Sequence, residues 1–285
     1  MISIIICSRR PDISRSLRTN IMATIQCDYE LVIIDNSKNN FSIFSAYEKG
    51  VKMANGTILC FMHEDIIIHT YGWGLKVEDY FIKYKNVGLI GVAGTHFIPK
   101  TPAAWWDSEL RSGHFIQGTT QGKNYKKLWN SLWDEYRAEP TQVAAVDGLW
   151  MCIPRKMFNM ISWDTKSFTG FHNYDIDISL QIWNSKYEVH IFWDIVIEHQ
   201  SLGLTNNTYN SALVNLFNKW NDYFPFIKGV SLSNEEICLY TRIAELNYEL
   251  RTKNNILKEI YTSRAYKLSL RIRKAYLCLS SIMNK

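Results

Sequence analysis

The chain has no Cys-x-x-Cys pair. Its six cysteines (7, 27, 60, 152, 238 and 278) are scattered along 285 residues. That argues against a zinc or disulfide framework and for a reducing compartment. No run reaches about 18 apolar residues, the length a membrane span needs. The chain opens directly on an apolar stretch, with no basic segment ahead of a long apolar one, so no signal peptide is expected. There is no internal repeat and no low-complexity tract. Acids run short in the tail. Residues 251–285 hold nine Lys/Arg against Glu259 alone, while acids slightly outnumber bases in the rest of the chain. A basic tail on a mildly acidic body points to an anionic surface, membrane or nucleic acid.

What is present is ordinary globular composition. With 47% hydrophobic residues, the chain can build one large domain plus an appendage, or two modest domains. Apolar runs at residues 2–7, 29–34, 57–62 and 87–93 read as buried strands. Helix-like stretches at 13–25, 44–54 and 73–84 alternate with them. Asn55-Gly56 is a turn signal between the second helix and the third strand. Buried strands alternating with helices predict a parallel, covered sheet. In such sheets ligands sit beyond the carboxyl ends of the strands, where Asp35 and Asp65 fall. Residues 95–145 are irregular and aromatic-rich (Trp105, Trp106, Trp129, Trp133, Tyr136) and predict long loops with a hairpin. Further on, a strand is expected just after Asp147-Gly148, a helix within 171–183 and a strand over 189–196.

The most telling stretch is 58–68. An apolar strand climbs to Met62 and breaks into His63, Glu64 and Asp65 before apolar residues resume. Carboxylates at the end of a buried strand are costly without a partner. A divalent cation holding a phosphate is one such partner. A strand end turning into solvent is the plainer alternative.

The tail differs from the body. Ser233-x-x-Glu236 is a capping box that opens a helix. Leu239, Ile243, Leu246, Leu250, Leu257 and Ile260 keep a heptad step, which suits a short coiled coil or a helix docked on the body. Beyond Ser263, Leu268, Ile272 and Leu279 share a face beside a basic stripe of Arg264, Lys267, Arg271 and Lys274. That pattern fits a helix lying on a membrane surface, or a solvated helix. The expected division is residues 1–228 as one unit and 229–285 as a helical, basic extension.

Four motifs in order carry a resemblance. They are Ile2-Ser-Ile-Ile-Ile-Cys7, Leu31-Val-Ile-Ile-Asp-Asn-Ser37, the run Ala46-x-x-x-Gly50 to Met62-His-Glu-Asp65, and the pair Asp147-Gly148 to Arg155 with Phe171-His-Asn-Tyr-Asp-Ile-Asp177. Over about residues 1–205 the chain resembles glycosyltransferases of family 2. The His-x-Asp and Phe-His-x-Tyr-Asp-x-Asp runs are most similar to its StrF-like branch. The resemblance implies an α/β fold of the GT-A (Rossmann-like) type, a mostly parallel sheet with flanking helices, here followed by the helical extension.

It also implies roles. Asp35 accepts hydrogen bonds from the nucleotide base, although Asp35-Asn-Ser37 equally fits a turn. Ser8 and Arg9, in the loop after the first strand, are assigned to the nucleotide as well. Asp65 matches the last acid of the family's Asp-x-Asp and holds Mn²⁺ or Mg²⁺ on the diphosphate. His63 replaces the first acid; it contacts the nucleotide sugar or ligates the metal, and imidazole suits Mn²⁺ better than Mg²⁺. His199, opening His-Gln-Ser-Leu-Gly203, reaches the metal or phosphates, or is structural. Asp147 lies in the loop near the donor sugar. Asp175 matches the general base, and Tyr174 stands where the family has Glu. Asp177 caps or positions. Both acids also suit a plain helix start. Trp105, Trp106 or Trp150 fits a sugar platform or the core.

The expected activity is inverting transfer of a sugar from a nucleoside diphosphate donor, a UDP-sugar first among them. The acceptor is a hydroxyl on a glycan or lipid-linked molecule. The enzyme is expected in the cytoplasm, with the basic tail on the inner membrane face, no nucleic-acid partner, and pairing of two copies through the heptad helix. Two alternatives stay open. A nucleotidyltransferase wants a Gly-rich phosphate loop, which Ser8-Arg-Arg-Pro-Asp12 does not supply. A non-catalytic nucleotide- or glycan-binding relative is favoured by His63 and Tyr174 in place of acids.

Overall fold

The structure, a computed structural model, describes residues 1–118, 128–129, 140–201 and 207–283. Trp133, Tyr136 and the Leu202-Gly203 pair lie outside the described residues, as do the side chains of Trp129, Cys278 and Leu279.

The first strand, β1 (Ile2–Ser8), is buried almost throughout. Its β-branched residues suit a central strand covered on both faces. Helix α1 (Arg15–Thr24) starts where the Ser14 hydroxyl accepts from Leu17 N–H, and buries Leu17 and Ile21. Strand β2 (Tyr29–Asp35) follows, then α2 (Ile43–Met53), capped by Ser42. Gly50 lets α2 lie close on the sheet, since a Cβ there would stand 2.3 Å from Ile5 Cγ2. Strand β3 (Ile58–Met62) is wholly buried. A short strand, β4 (Ile66–Ile68), leads to α3 (Trp73–Lys83) and β5 (Val87–Gly91).

Among its described residues, the middle of the chain sets short strands between loops. It carries short strands β6 (Ala93–Thr95), β7 (Phe97–Ile98), β8 (Arg111–Gly113), β9 (Phe115–Gln117), β10 (Leu128–Trp129), β11 (Thr141–Gln142) and β12 (Ala145–Val146). Then come β13 (Trp150–Pro154), α4 (Tyr174–Asn184), β14 (Glu188–Ile191), β15 (Ile197–His199), α5 (Asn207–Trp220) and β16 (Phe226–Ile227). The strand expected over 189–196 thus ends at Ile191, and β15 begins beyond that range. The last helices are α6 (Asn234–Thr262) and α7 (Arg264–Met283).

The main sheet runs β11-β14-β5-β13-β3-β1-β2. Strands β1, β2, β3, β5 and β14 point one way; β13 and β11 run against them. The sheet is therefore mostly parallel, with an inserted reversed strand. Side chains alternate between its faces. Ile5 joins Phe44, Tyr47, Phe61 and Tyr174 on one side, and Ile4 and Ile6 join Leu17, Ile21 and Trp73 on the other. A second sheet, β10-β9-β15-β4, stands beside the first.

Helix α6 has the predicted capping box of Ser233 and Glu236. It docks on the body, though not through the heptad leucines. Leu239, Leu246, Leu250, Leu257 and Ile260 are all exposed. Arg251 makes two parallel bonds to buried Asp107 (2.7 and 2.8 Å), Asn247 donates to the Asp107 carbonyl (2.9 Å), Ala244 is fully buried, and Tyr248 packs against the Ala104, Tyr209 and Leu213 cluster. The planar guanidinium matches a carboxylate bidentately.

Candidate active site

Strand pairing gathers the candidate residues at one edge of the main sheet. Ser8 ends β1 and lies in register with Asp35 at the end of β2. Strand β3 runs parallel to β1 and ends just before His63. Strand β13 runs the other way, so the Asp147–Leu149 turn before it meets the same edge, and His63 N–H donates to the Leu149 carbonyl (3.1 Å). Antiparallel pairing of β4 with β15 sets His199 opposite Ile66, and Gln200 N–H donates to the Asp65 carbonyl (2.9 Å). Residues 134 positions apart thereby become neighbours.

His63, Asp65 and His199 form one cluster, each offering a ligand atom within 4.8 Å of the others. His63 Nδ1 is 3.9 Å from Asp65 Oδ1, and His199 Nε2 is 3.7 Å from the same oxygen. With metal–ligand bonds of about 2.1 Å, two donors on one cation stand about 3 Å (adjacent) to about 4.2 Å (opposite) apart. The two spacings to Asp65 lie in that range and suit a shared divalent cation, and two imidazoles favour Mn²⁺ over Mg²⁺. Burial pushes the Asp65 carboxyl up, but a bond from the Ser201 hydroxyl and the two imidazoles outweigh it, and the group is held below its ordinary value. Burial lowers His199, and neighbouring His63 lowers it further against the pull of Asp65. Both shifts leave the group in its ligating form at neutral pH, an ionised carboxylate and a neutral imidazole.

Each imidazole has an outer partner. His63 Nε2 lies 2.8 Å from the Tyr174 hydroxyl, which donates to the Gly148 carbonyl (3.1 Å). His199 Nδ1 lies 3.3 Å from Gln117 Oε1. The Gln117 amide is oriented by donating to the Ser201 carbonyl (2.7 Å).

Glu64 turns away from this cluster. It accepts from the Ser8 hydroxyl (2.6 Å), Arg9 N–H (3.2 Å) and Arg9 Nε (3.1 Å). Burial raises its carboxyl, those bonds outweigh the rise, and the net shift is downward. Arg9 keeps 82% of its side chain exposed, so this pair adds little to stability. Asp35 is exposed and accepts from Ser37 N–H (2.9 Å), the turn its sequence allows.

Asp175 begins α4, buried, with Oδ2 accepting from Gly148 N–H and Oδ1 from Ile176 N–H (both 2.9 Å). Burial and the charge of Asp147 raise it to about 7, against the pull of those two donors. Asp147 is held by Trp105 Nε1 (2.9 Å) and Leu149 N–H (2.8 Å). Asp177 is occupied elsewhere, bonded to Lys219 (2.7 Å), Trp220 Nε1 (2.8 Å) and Gln181 (2.8 Å). Trp150 is fully buried between Trp73 and Phe192, so it is core and not a sugar platform. Beside α4 a cleft of about 440 Å³ opens between residues 168–172 and α5, lined by Phe171, His172, Thr208, Ser211 and Asn215 among others, with no carboxylate or lysine among the described lining residues.

Sequence reasoning missed Ser201, Gln117 and the link from Tyr174 to His63. Hydroxyl and amide residues this common carry no signal until pairing of β15 with β4 and β9 brings them in.

The sequence model described as the Glycosyltransferase like family matches residues 3–221. No curated protein gives a match by sequence. Among solved structures, the crystal structure of GalNAc-T7 with UDP, GalNAc and Mn²⁺ is similar in fold. Its TM-score is 0.54 at 13% identity, covering 92% of this chain and 58% of that one. The crystal structure of A197 from STIV is also similar, with TM-score 0.38 and 13% identity over 70% of this chain and 84% of that one. The first likeness bears out the GT-A architecture.

Proposed function

We propose, from the premise that this chain belongs to the Glycosyltransferase like family, that it moves a sugar from a nucleoside diphosphate donor to a hydroxyl of a glycan or lipid-linked acceptor, with inversion. The observation that carries this reading is the placing of two sites at one sheet edge. The His63–Asp65–His199 cluster stands across the Gly148 turn from Asp175, a carboxyl raised to about 7. One half suits a cation on a diphosphate, the other suits a general base.

The roles follow from the chemistry. Asp35, exposed at the end of β2, accepts an N–H of the base. Ser8 and Arg9 border the phosphates, with Arg9 free to leave its exposed pair with Glu64. Asp65 and His199, joined by His63, hold the cation. When bound, that ion offsets charge growing on the leaving diphosphate. Asp147 faces the donor sugar. Asp175 takes the proton of the acceptor hydroxyl as its oxygen forms the new bond to the anomeric carbon. The bond from that carbon to the diphosphate breaks on the opposite side. The neutral, hydroxyl- and aromatic-lined cleft beside α4 supports an uncharged sugar as acceptor. UDP and Mn²⁺ in the crystal structure of GalNAc-T7 support a UDP-sugar donor and Mn²⁺. The His63-x-Asp65 and Phe171-to-Asp177 runs support placement in the StrF-like branch.

Incubation with UDP-sugars and Mn²⁺ should release free sugar and UDP slowly in the absence of acceptor. Release of pyrophosphate would instead make the protein a nucleotidyltransferase. Donor binding with no turnover would make it a non-catalytic relative.

The same proposal treats residues 1–228 as the catalytic unit and 229–285 as an appendage. No described helix is long and apolar enough to cross a membrane. Helix α7 exposes Leu268, Leu270, Ile272 and Tyr276 beside Arg264, Lys267, Arg271 and Lys274, which supports contact with an anionic inner leaflet. The exposed heptad face of α6 supports pairing of two copies. Deleting residues 262–285 should release the protein from anionic vesicles without changing donor binding; vesicle binding that persists would rule out the tail as anchor. A monomer by sedimentation would rule out the pairing.

A further inference from the structure

We infer that Tyr174 is a positioning residue that sets His63 in one tautomer and so aims its Nδ1 lone pair at the cation site. The inference rests on the cation reading above and extends it to a residue outside the ligand cluster.

Counting protons assigns the tautomer. Tyr174 has one hydroxyl proton. Its oxygen stands 3.1 Å from the Gly148 carbonyl and 2.8 Å from His63 Nε2, with the Tyr47 hydroxyl as a further hydrogen-bond partner. A carbonyl oxygen only accepts, so the tyrosine proton belongs on that side. The contact to His63 then needs a proton from the histidine, and Nε2 carries it. In the neutral ring Nδ1 is left bare. That is the nitrogen 3.9 Å from Asp65 Oδ1.

His199 is set the opposite way. Gln117 turns its carbonyl oxygen to His199 Nδ1 (3.3 Å), because its amide nitrogen is engaged with the Ser201 carbonyl. Nδ1 therefore carries the proton, and Nε2 faces Asp65 at 3.7 Å. Two histidines in opposite tautomers turn their bare nitrogens on one carboxylate. Metal-bound imidazoles are commonly oriented by such outer hydrogen bonds.

The tyrosine is held for this task. It is 5% exposed and packs edge-on against Tyr47 (5.5 Å between ring centres). Gly148 admits it: a Cβ there would stand 2.2 Å from the hydroxyl oxygen. The same glycine gives its N–H to Asp175. One residue thus joins the cation side of the site to the base side, at the position directly before the base.

The test reads the rings themselves. Long-range ¹H–¹⁵N spectra of metal-free protein at about pH 8 distinguish protonated from bare ring nitrogens. The unaltered protein should show His63 as the Nε2–H form and His199 as the Nδ1–H form. Tyr174→Phe keeps the ring and removes the oxygen. It should leave His199 unchanged, turn His63 into a mixture, and weaken Mn²⁺ binding by about tenfold or more, the usual cost of losing an outer partner. Finding His63 as Nδ1–H in the unaltered protein would overturn the inference. So would a Tyr174→Phe protein with the same tautomer and the same Mn²⁺ affinity. An unaltered protein that binds no Mn²⁺ with UDP would overturn the cation reading and the purpose assigned to Tyr174. The tautomers, read without metal, show which of the two failed.

Discussion

Asp175→Asn should bind donor as the unaltered protein does and transfer sugar about 10³-fold more slowly, within the usual range for losing a general base. The amide keeps the size of the carboxyl and an oxygen for Gly148 N–H, at the cost of the bond from Ile176 N–H. It cannot take a proton. A loss confined to turnover, with donor affinity kept, is the signature of a group acting only in the transition state. The pH profile adds a second reading. Burial and the charge of Asp147 raise Asp175 to about 7, and the base works only when ionised. Turnover in the unaltered protein should therefore rise with pH through about 7. Stability should run the other way. Between the ordinary value of 3.8 and the folded value of about 7, the native state holds a proton that the unfolded chain has lost. Stability then falls as pH rises across that window, and Asp175→Asn should remove that fall. A variant that turns over near the normal rate would take the base role away from Asp175.

The fold was legible where burial is two-sided. Strands β1 and β3 are continuous apolar runs because both faces of the sheet are covered, and the acids that break β3 therefore stand out. Asp65 could be picked from sequence for that reason, whereas Asp175 came only from the resemblance carried by the Phe171-to-Asp177 run. The short strands from Ala93 to Val146 could not. Elements of two or three residues have no period of their own and exist only through their partners. Helix α5 was missed as well, and Ser201 and Gln117 with it. Their contacts depend on β15 lying between β4 and β9, a pairing no local pattern announces. Helix α6 shows the opposite error. Its heptad leucines suggested the docking face, but Arg251 on Asp107, with Ala244 and Tyr248, does the docking and the leucines face out. Hydrophobic periodicity reports where an apolar stripe lies, not what covers it. Tyr174 and His63 read as two separate losses of an acid. In the structure they are bonded to each other, so the two departures form one arrangement.

Asp65→Ala should lose both donor affinity and turnover, which separates it from Asp175→Asn. Asp65 is the shared point of the cluster: both bare imidazole nitrogens face its Oδ1, and Ser201 holds its Oδ2. Removing it leaves two neutral ligands and no charge to oppose a divalent cation. Losing an outer partner costs about 10- to 100-fold in metal affinity, so losing this carboxylate should cost more than about 100-fold. Titrating UDP with and without Mn²⁺ measures the effect. In the unaltered protein Mn²⁺ should tighten UDP binding, and in Asp65→Ala the two titrations should coincide. The fold should survive, because among the described contacts the carboxylate pairs with a hydroxyl and two imidazoles rather than with a buried cation. Asp65→Asn serves as the control, since it keeps an oxygen for Ser201 while losing the charge, and should fail in the same way. If Mn²⁺ still tightens UDP binding in both variants, the diphosphate is neutralised somewhere other than the end of β3. The roles given to His63, His199 and Tyr174 would then fall together, while that of Asp175 would stand on its own measurement.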